Sequence, residues 1–300
     1  MKISLIEAPI CKGSPTVGTQ FAYKHLTENG ITELFGDEVC LVPSQLGTLE
    51  EGTYKPNMKY VGEVVSVAKE VYKGVKEAIS TQSFPIVIGG DHSLAIGSIA
   101  GASACFSTEE LSVIYIDGHT DINTENSTPT GFIHGMPLAA AMGLCSDKLT
   151  IGKKVNLLGK NIYIIGARSI DEGEYGIIRE NGVHLYTADD VKKRGISSVM
   201  SEIKENISGG AVHISFDVDF LDEKVFPSTS YRMPNGLDIG TLKEILKESF
   251  SLGKTCSFDC VEYNPTLDTD GKDLKKLLDI FLFVSKLIEK NGYKKANKDF

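Results

Sequence analysis

Three short segments of the 300-residue chain gather the residue types that hold cations: Gly89-Gly90-Asp91-His92-Ser93, Asp117-Gly118-His119-Thr120-Asp121 and Asp217-Val218-Asp219. Side chains two apart in extended backbone point to one side. If the chain stays extended, Asp117, His119 and Asp121 share a side, and so do Asp217 and Asp219. These groups, joined by His92 from the third segment, would repel one another in a dry site unless a cation balanced them. Four carboxylates and two imidazoles without a thiolate make a hard, oxygen-rich set, which suits manganese better than zinc, with cobalt or nickel able to substitute. The set exceeds one ion's needs. Two ions roughly 3.5 Å apart, sharing carboxylates and a bridging hydroxide, would use all six ligands and generate a nucleophile at neutral pH. Singly, a strand-terminal Asp more often caps a turn or helix, and His25, His184 and His213 read as structural. The constellation carries the argument, not any one member.

Each segment follows an apolar run, and such runs recur at 2–8, 38–43, 84–90, 111–117, 161–167, 183–188, 211–219 and 255–262. Most are continuous rather than alternating, as strands are when helices cover both faces of a parallel sheet. Three- and four-residue apolar spacing predicts helices over 60–79, 188–205, 239–250 and 273–289, with an exposed polar tail over 290–300. No linker, charge block or repeat separates domains. The reading is one doubly wound, three-layer α/β domain over 1–300, with a mainly parallel sheet of about eight strands. In such sheets a ligand site forms beyond the carboxyl ends of the strands, where the three segments lie. The loop over 117–135 is long enough to expect function there.

Composition narrows the classes. With 31 basic against 40 acidic residues the net charge is −9, which argues against nucleic acid as a partner. No apolar run approaches the roughly 20 residues that span a bilayer. Glu7 interrupts the only apolar run near the start, so no secretory signal pattern is seen there. The six cysteines form no Cys-x-x-Cys pair. A cytoplasmic protein with reduced thiols is expected. Neither Gly-x-Gly-x-x-Gly nor a phosphate-binding Gly-x-x-x-x-Gly-Lys loop occurs, so a nucleotide-dependent enzyme lacks support.

In order and spacing the three motifs resemble the ureohydrolases, the family of arginase and agmatinase, over nearly the whole chain. The resemblance implies an arginase-like fold and two Mn2+ ions per subunit. One would be held by His92, Asp117, Asp121 and Asp217, the other by Asp117, His119, Asp217 and Asp219, with Asp117 and Asp217 bridging. His134 in Thr130-Gly-Phe-Ile-His-Gly-Met-Pro and Glu262 in Val261-Glu-Tyr-Asn-Pro match further family positions. With Asp121 they are the catalytic candidates. A guanidinium is a poor electrophile, so Glu262 would orient it and His134 would relay a proton to the departing amine.

The segment Gly166-Ala-Arg-Ser-Ile-Asp-Glu-Gly-Glu174 and His134-Gly-Met-Pro-Leu are more similar to arginases than to agmatinases. The resemblance therefore implies a small guanidino substrate, L-arginine, cleaved to L-ornithine and urea. Asp171 and Asn123 would bind its amino-acid end, with Thr130 and Glu174 beside them. Thr130 and Phe132 stand where arginases usually have Ser and Asn, and Ser230-Tyr231-Arg232 where Gly-Thr-Pro is usual. Arg232 is thus a candidate carboxylate clamp. Gly118 replaces the commoner Ala, a change expected to be tolerated. Alternatives are agmatine, guanidinobutyrate or formiminoglutamate as substrate, or a catalytically silent binding protein, conceivable from Phe132 and Tyr231. The resemblance also implies a homo-oligomer, trimer or hexamer.

Overall fold

The eight apolar runs form eight strands, and every pairing between them is parallel. The computed structural model describes residues 2–36, 38–45, 55–207 and 210–291. The strands are β1 (Ile3–Glu7), β2 (Val39–Val42), β3 (Phe84–Ile88), β4 (Leu111–Ile116), β5 (Ile162–Ala167), β6 (His184–Thr187), β7 (Ala211–Asp217) and β8 (Lys254–Val261), in the order β2-β1-β3-β8-β7-β4-β5-β6. Strands β3, β4 and β7 are buried at every residue, which is why their sequences run apolar without alternation.

Neighbouring residues of one strand serve opposite layers. Ile114 and Ile116 join Ile214, Phe216 and Phe258 in a core covered by α1 (Ala22–Glu28), α6 (Ala188–Arg194), α7 (Ile196–Asn206), α8 (Ile239–Ser249) and α9 (Lys272–Lys290). Val113 and Tyr115 face the other side, where α2 (Val61–Ser80), α3 (Ala95–Ser103), α4 (Pro137–Ala141) and α5 (Glu172–Asn181) lie. This is the expected three-layer arrangement. Among the described residues no helix is long and apolar enough to cross a membrane. Of the tail predicted over 290–300, residues 292–300 lie outside the described residues.

Two departures have physical causes. The single helix expected over 188–205 is two, α6 and α7, because Gly195 takes a φ of 77° between them. Helix α3 went unpredicted because all nine of its residues are buried, so its Ala-Ile-Gly-Ser-Ile sequence shows no polar face and no period.

Candidate metal centre

The sheet order sets β3, β8, β7 and β4 side by side at its middle, so their carboxyl ends deliver the functional side chains to one place. Beyond β3, the Asp91 carboxylate accepts from the Gly13 amide at 2.9 Å and the Ser93 amide at 3.0 Å, fixing the turn that presents His92. Burial and the nearby Glu262 charge push the Asp91 carboxyl up to about 6. Beyond β4, Asp117 Oδ1 accepts from the His119 amide at 2.6 Å, and Asp121 sits in the left-handed region at φ 46°. Beyond β7, Asp217 Oδ1 accepts from the Asp219 amide at 2.8 Å and caps a 3-10 turn over Val218–Phe220.

The side chains therefore converge by a different route from the one the sequence suggested. Strand β4 stops at Ile116, and a capping turn rather than extended alternation brings Asp117 and His119 together, as another does Asp217 and Asp219, while Asp121 follows through its left-handed backbone. A carboxylate that accepts the amide two residues on folds the chain back on itself.

His92 Nδ1 lies 2.9 Å from Asp117 Oδ2, 3.2 Å from Asp121 Oδ2 and 3.2 Å from Asp217 Oδ2. His119 Nδ1 lies 3.0 Å from Asp219 Oδ2 and 3.6 Å from Asp117 Oδ1. Asp117 thus offers one oxygen to each histidine. His92 Nδ1 and Asp117 Oδ2 are buried without a hydrogen-bond partner despite their proximity. One N–H cannot satisfy three carboxylates. A divalent cation satisfies all of them, so the donor set fits such ions. Two groups could hold one: His92, Asp117 and Asp217, and Asp117, His119 and Asp219.

Electrostatics agree. Burial opposes charge on both histidines, yet the surrounding aspartates outweigh it and hold both imidazoles well above their ordinary value. Burial and the repulsion of Asp219 and Asp117 raise the Asp217 carboxyl strongly. For Asp117, hydrogen bonds and charge from His119 and His92 overcome burial and lower it. The cluster's field draws positive charge inward.

Glu262 joins from β8 with a left-handed φ of 62°. Its Oε1 accepts the His92 amide at 3.0 Å and lies 3.5 Å from His134 Nδ1, while Oε2 is buried without a partner. Burial lowers the His134 pKa, but the bond and charge of Glu262, then Asp121 and Asp91, raise it overall. A cavity of about 230 Å³ opens on this group, lined by His119, Asp121, Asn123, Thr130, His134, Asp171 and Glu174 among others. Asn123 Nδ2 donates to Asp171 Oδ2 at 2.8 Å. Glu174 uses one oxygen on the Ile122 amide at 3.0 Å and the other on the Asp171 amide at 2.8 Å, and burial pushes its carboxyl up to about 7.

Arg232 does not join the cavity. It is exposed, while Tyr231 and Met233 on either side line the wall. Tyr231 faces inward. Its ring stacks on His134 at 5.1 Å and meets His119 edge-on at 5.7 Å.

Sequence reasoning missed two supports. Tyr115, hidden inside an apolar strand, stacks on His92 at 4.5 Å and donates to Asp121 Oδ2 at 2.9 Å. Arg168 donates to the carbonyls of Asp219 at 2.6 Å, Met233 at 3.3 Å and Pro234 at 3.2 Å, pinning that loop to the centre; only its place in Gly166-Ala-Arg hinted at a role. Gly118 occupies a crowded place. A Cβ on Gly118 would stand 2.5 Å from Arg168 Nη1 and 2.9 Å from Asp219 Oδ1.

An all-parallel sheet between two helical layers, with a buried Asp/His cage at its carboxyl edge and a cavity leading to that cage, defines an α/β protein whose site suits divalent cations. The chain belongs to the arginase family, whose model matches residues 1–278. It is 32% identical to the arginase of Entamoeba histolytica over 285 residues, which cover 92% of this chain and 96% of that protein. Among solved structures, the arginase of Bacillus subtilis subsp. subtilis str. 168 superposes with a TM-score of 0.86 at 30% identity, covering 95% of this chain and 98% of that one. The Entamoeba histolytica arginase in complex with L-ornithine superposes with a TM-score of 0.84 at 29% identity, over 94% of this chain and 97% of the other.

Proposed function

We propose that this arginase-family hydrolase is a manganese-dependent arginase, cleaving L-arginine to L-ornithine and urea, with 1–300 working as one catalytic domain. The observation that carries the reading is the shared Asp117, which faces both histidines beside a cavity lined by His134, whose Nδ1 lies 3.5 Å from Glu262 Oε1. His92, Asp117, Asp121 and Asp217 would hold one ion, and Asp117, His119, Asp217 and Asp219 the other. Bound divalent cations supply Lewis acidity and lower the pKa of water toward neutrality.

The remaining steps belong to side chains. Glu262 Oε2, buried and unpartnered, accepts N–H donors of the guanidinium in a charge-assisted bond, and the His92 amide keeps that carboxylate in place. His134 holds a proton on Nδ1 against Glu262 and supplies a proton to the departing amine. Asp171, positioned by Asn123, receives the α-ammonium, with Thr130 nearby. Arg232 enters the proposal only as a rim cation that attracts the carboxylate, because it stands outside the cavity. The complex of the related Entamoeba enzyme with L-ornithine supports an amino-acid substrate. All six cysteines are free, which fits a cytoplasmic location.

The test is hydrolysis of arginine, agmatine, guanidinobutyrate and formiminoglutamate after Mn2+ loading, read as urea or formamide. Preference for arginine is expected. Preference for a compound without an α-amino group overturns the substrate but not the chemistry. No bound metal and no turnover would leave a silent binding protein. Light scattering on the same sample tests the homo-oligomer, expected as a trimer or hexamer.

A further inference from the structure

Beneath the cage runs a line of polar side chains where an α/β core is normally apolar. His213 and Ser215 on β7, and Ser257 and Asp259 on β8, alternate with Ile214, Phe216 and Phe258, so they share the face that α3 covers with Ser98. All are fully buried. Buried polar groups are costly unless hydrogen-bonded, and here the bonds form a directed chain.

His92 Nε2 lies 2.8 Å from Ser215 Oγ, and Ser215 Oγ donates to Asp259 Oδ1 at 2.5 Å. A serine hydroxyl has one hydrogen. With that hydrogen given to the carboxylate, Oγ can only accept from His92, so the His92 proton belongs on Nε2. Nδ1, the atom that faces Asp117, Asp121 and Asp217, is then the nitrogen whose lone pair a cation would take in place of a proton. Asp259 is held in turn: Oδ2 accepts from Ser98 Oγ at 2.5 Å and lies 3.1 Å from His213 Nε2, while His213 Nδ1 is 2.7 Å from Ser257 Oγ.

The other imidazole has a different surrounding. The His119 side chain is 24% exposed, and its contacts are Asp117, Asp219 and the edge of Tyr231. We propose that Asp259 is a positioning residue of the metal centre, acting through Ser215 to aim the His92 Nδ1 lone pair into the cage, and that it serves the ion bound by His92 alone. The inference rests on the metal-centre reading above. A ligand histidine whose second nitrogen is tied to a carboxylate binds metal more tightly, and loss of such a tie costs about 10- to 100-fold in affinity.

The experiment is an Mn2+ titration of wild type, Ser215→Ala and Asp259→Ala by equilibrium dialysis, with melting of each apoprotein in chelator. In both variants one of the two binding constants is expected to weaken about 10- to 100-fold, while the other stays within about threefold. Loss of the Asp259 acceptor lets the Ser215 hydrogen turn to His92 Nε2, which moves the His92 proton to Nδ1. Wild-type constants in Ser215→Ala overturn the inference. So does equal weakening of both sites together with a lower apoprotein melting temperature, and so does failure of both variants to fold, which assigns the seam to the core. Wild type that binds fewer than two ions defeats the metal-centre reading instead.

Discussion

Glu262 and His92 stand at the ends of neighbouring strands, and Glu262 Oε1 accepts the His92 amide N–H at 3.0 Å. The carboxylate assigned to the substrate is thereby fixed to the first residue of the cage. On the proposed reading, the distance between the guanidinium and the bound ions would be set by a backbone contact rather than by a flexible side chain. The left-handed φ of 62° at Glu262 is the conformation that permits this contact.

Glu262→Gln keeps the shape and removes the charge. A hydrogen bond to a charged group is worth about 1.5–3 kcal/mol, so kcat/KM for arginine should fall by roughly 10- to 150-fold. Mn2+ content by elemental analysis should stay at the wild-type value, because Glu262 lies outside both ligand groups. Lost metal would instead make Glu262 part of the cage.

Asp117 faces both histidines, so Asp117→Ala should remove both ion positions at once. In wild type, Mn2+ at 100 times its Kd adds about 2.7 kcal/mol to the free energy of unfolding. Thermal scans with Mn2+ and with EDTA should differ by several degrees for wild type and coincide for the variant. A retained shift in Asp117→Ala would contradict its shared role.

Burial raises the Glu174 carboxyl from its ordinary value of 4.5 to about 7. The folded protein therefore holds this proton more tightly than the unfolded chain, and stability from Glu174 declines as pH rises from about 4.5 to about 7. Melting temperatures of Mn2+-saturated wild type and Glu174→Gln across that range check the sign. Relative to the variant, wild type should lose stability with rising pH and level off above about 7. A constant difference across the range would show that Glu174 is ionised in both states.

Tyr231 supports His134 by ring stacking at 5.1 Å. Such pairs contribute about 0.5–1.5 kcal/mol, so Tyr231→Ala should lower kcat by up to roughly tenfold. Tyr231→Phe should keep it. If Tyr231→Ala turned over faster, the ring would be an obstruction and not a support.

Gly118→Ala places a methyl against Arg168 and Asp219. Overpacking of this kind costs about 1–3 kcal/mol, and the melting temperature should fall accordingly. Unchanged stability would mean that the Arg168 guanidinium swings away without loss.

The sequence by itself determined the eight strands, the parallel sheet and the cage members, because continuous apolar runs are forced by burial on both faces and carboxylates rarely gather without a counter-charge. It also pointed to Glu262 and His134 through the motifs around them. It could not show how Asp117 and His119 meet, since the capping turn that bends the chain is a local hydrogen bond between atoms of ordinary residues. Helix α3 was illegible for want of a polar face, and Tyr115 was one more apolar-looking strand residue. Whether Tyr231 or Arg232 enters the cavity was decided by the direction of a loop that Arg168 ties down from another strand end. The buried line from His92 through Ser215 to Asp259 exists only because β7 and β8 are neighbours in space, 44 residues apart at that bond. Residue types set which chemistry is possible, and contacts between distant parts of the chain set which atom of each residue faces it.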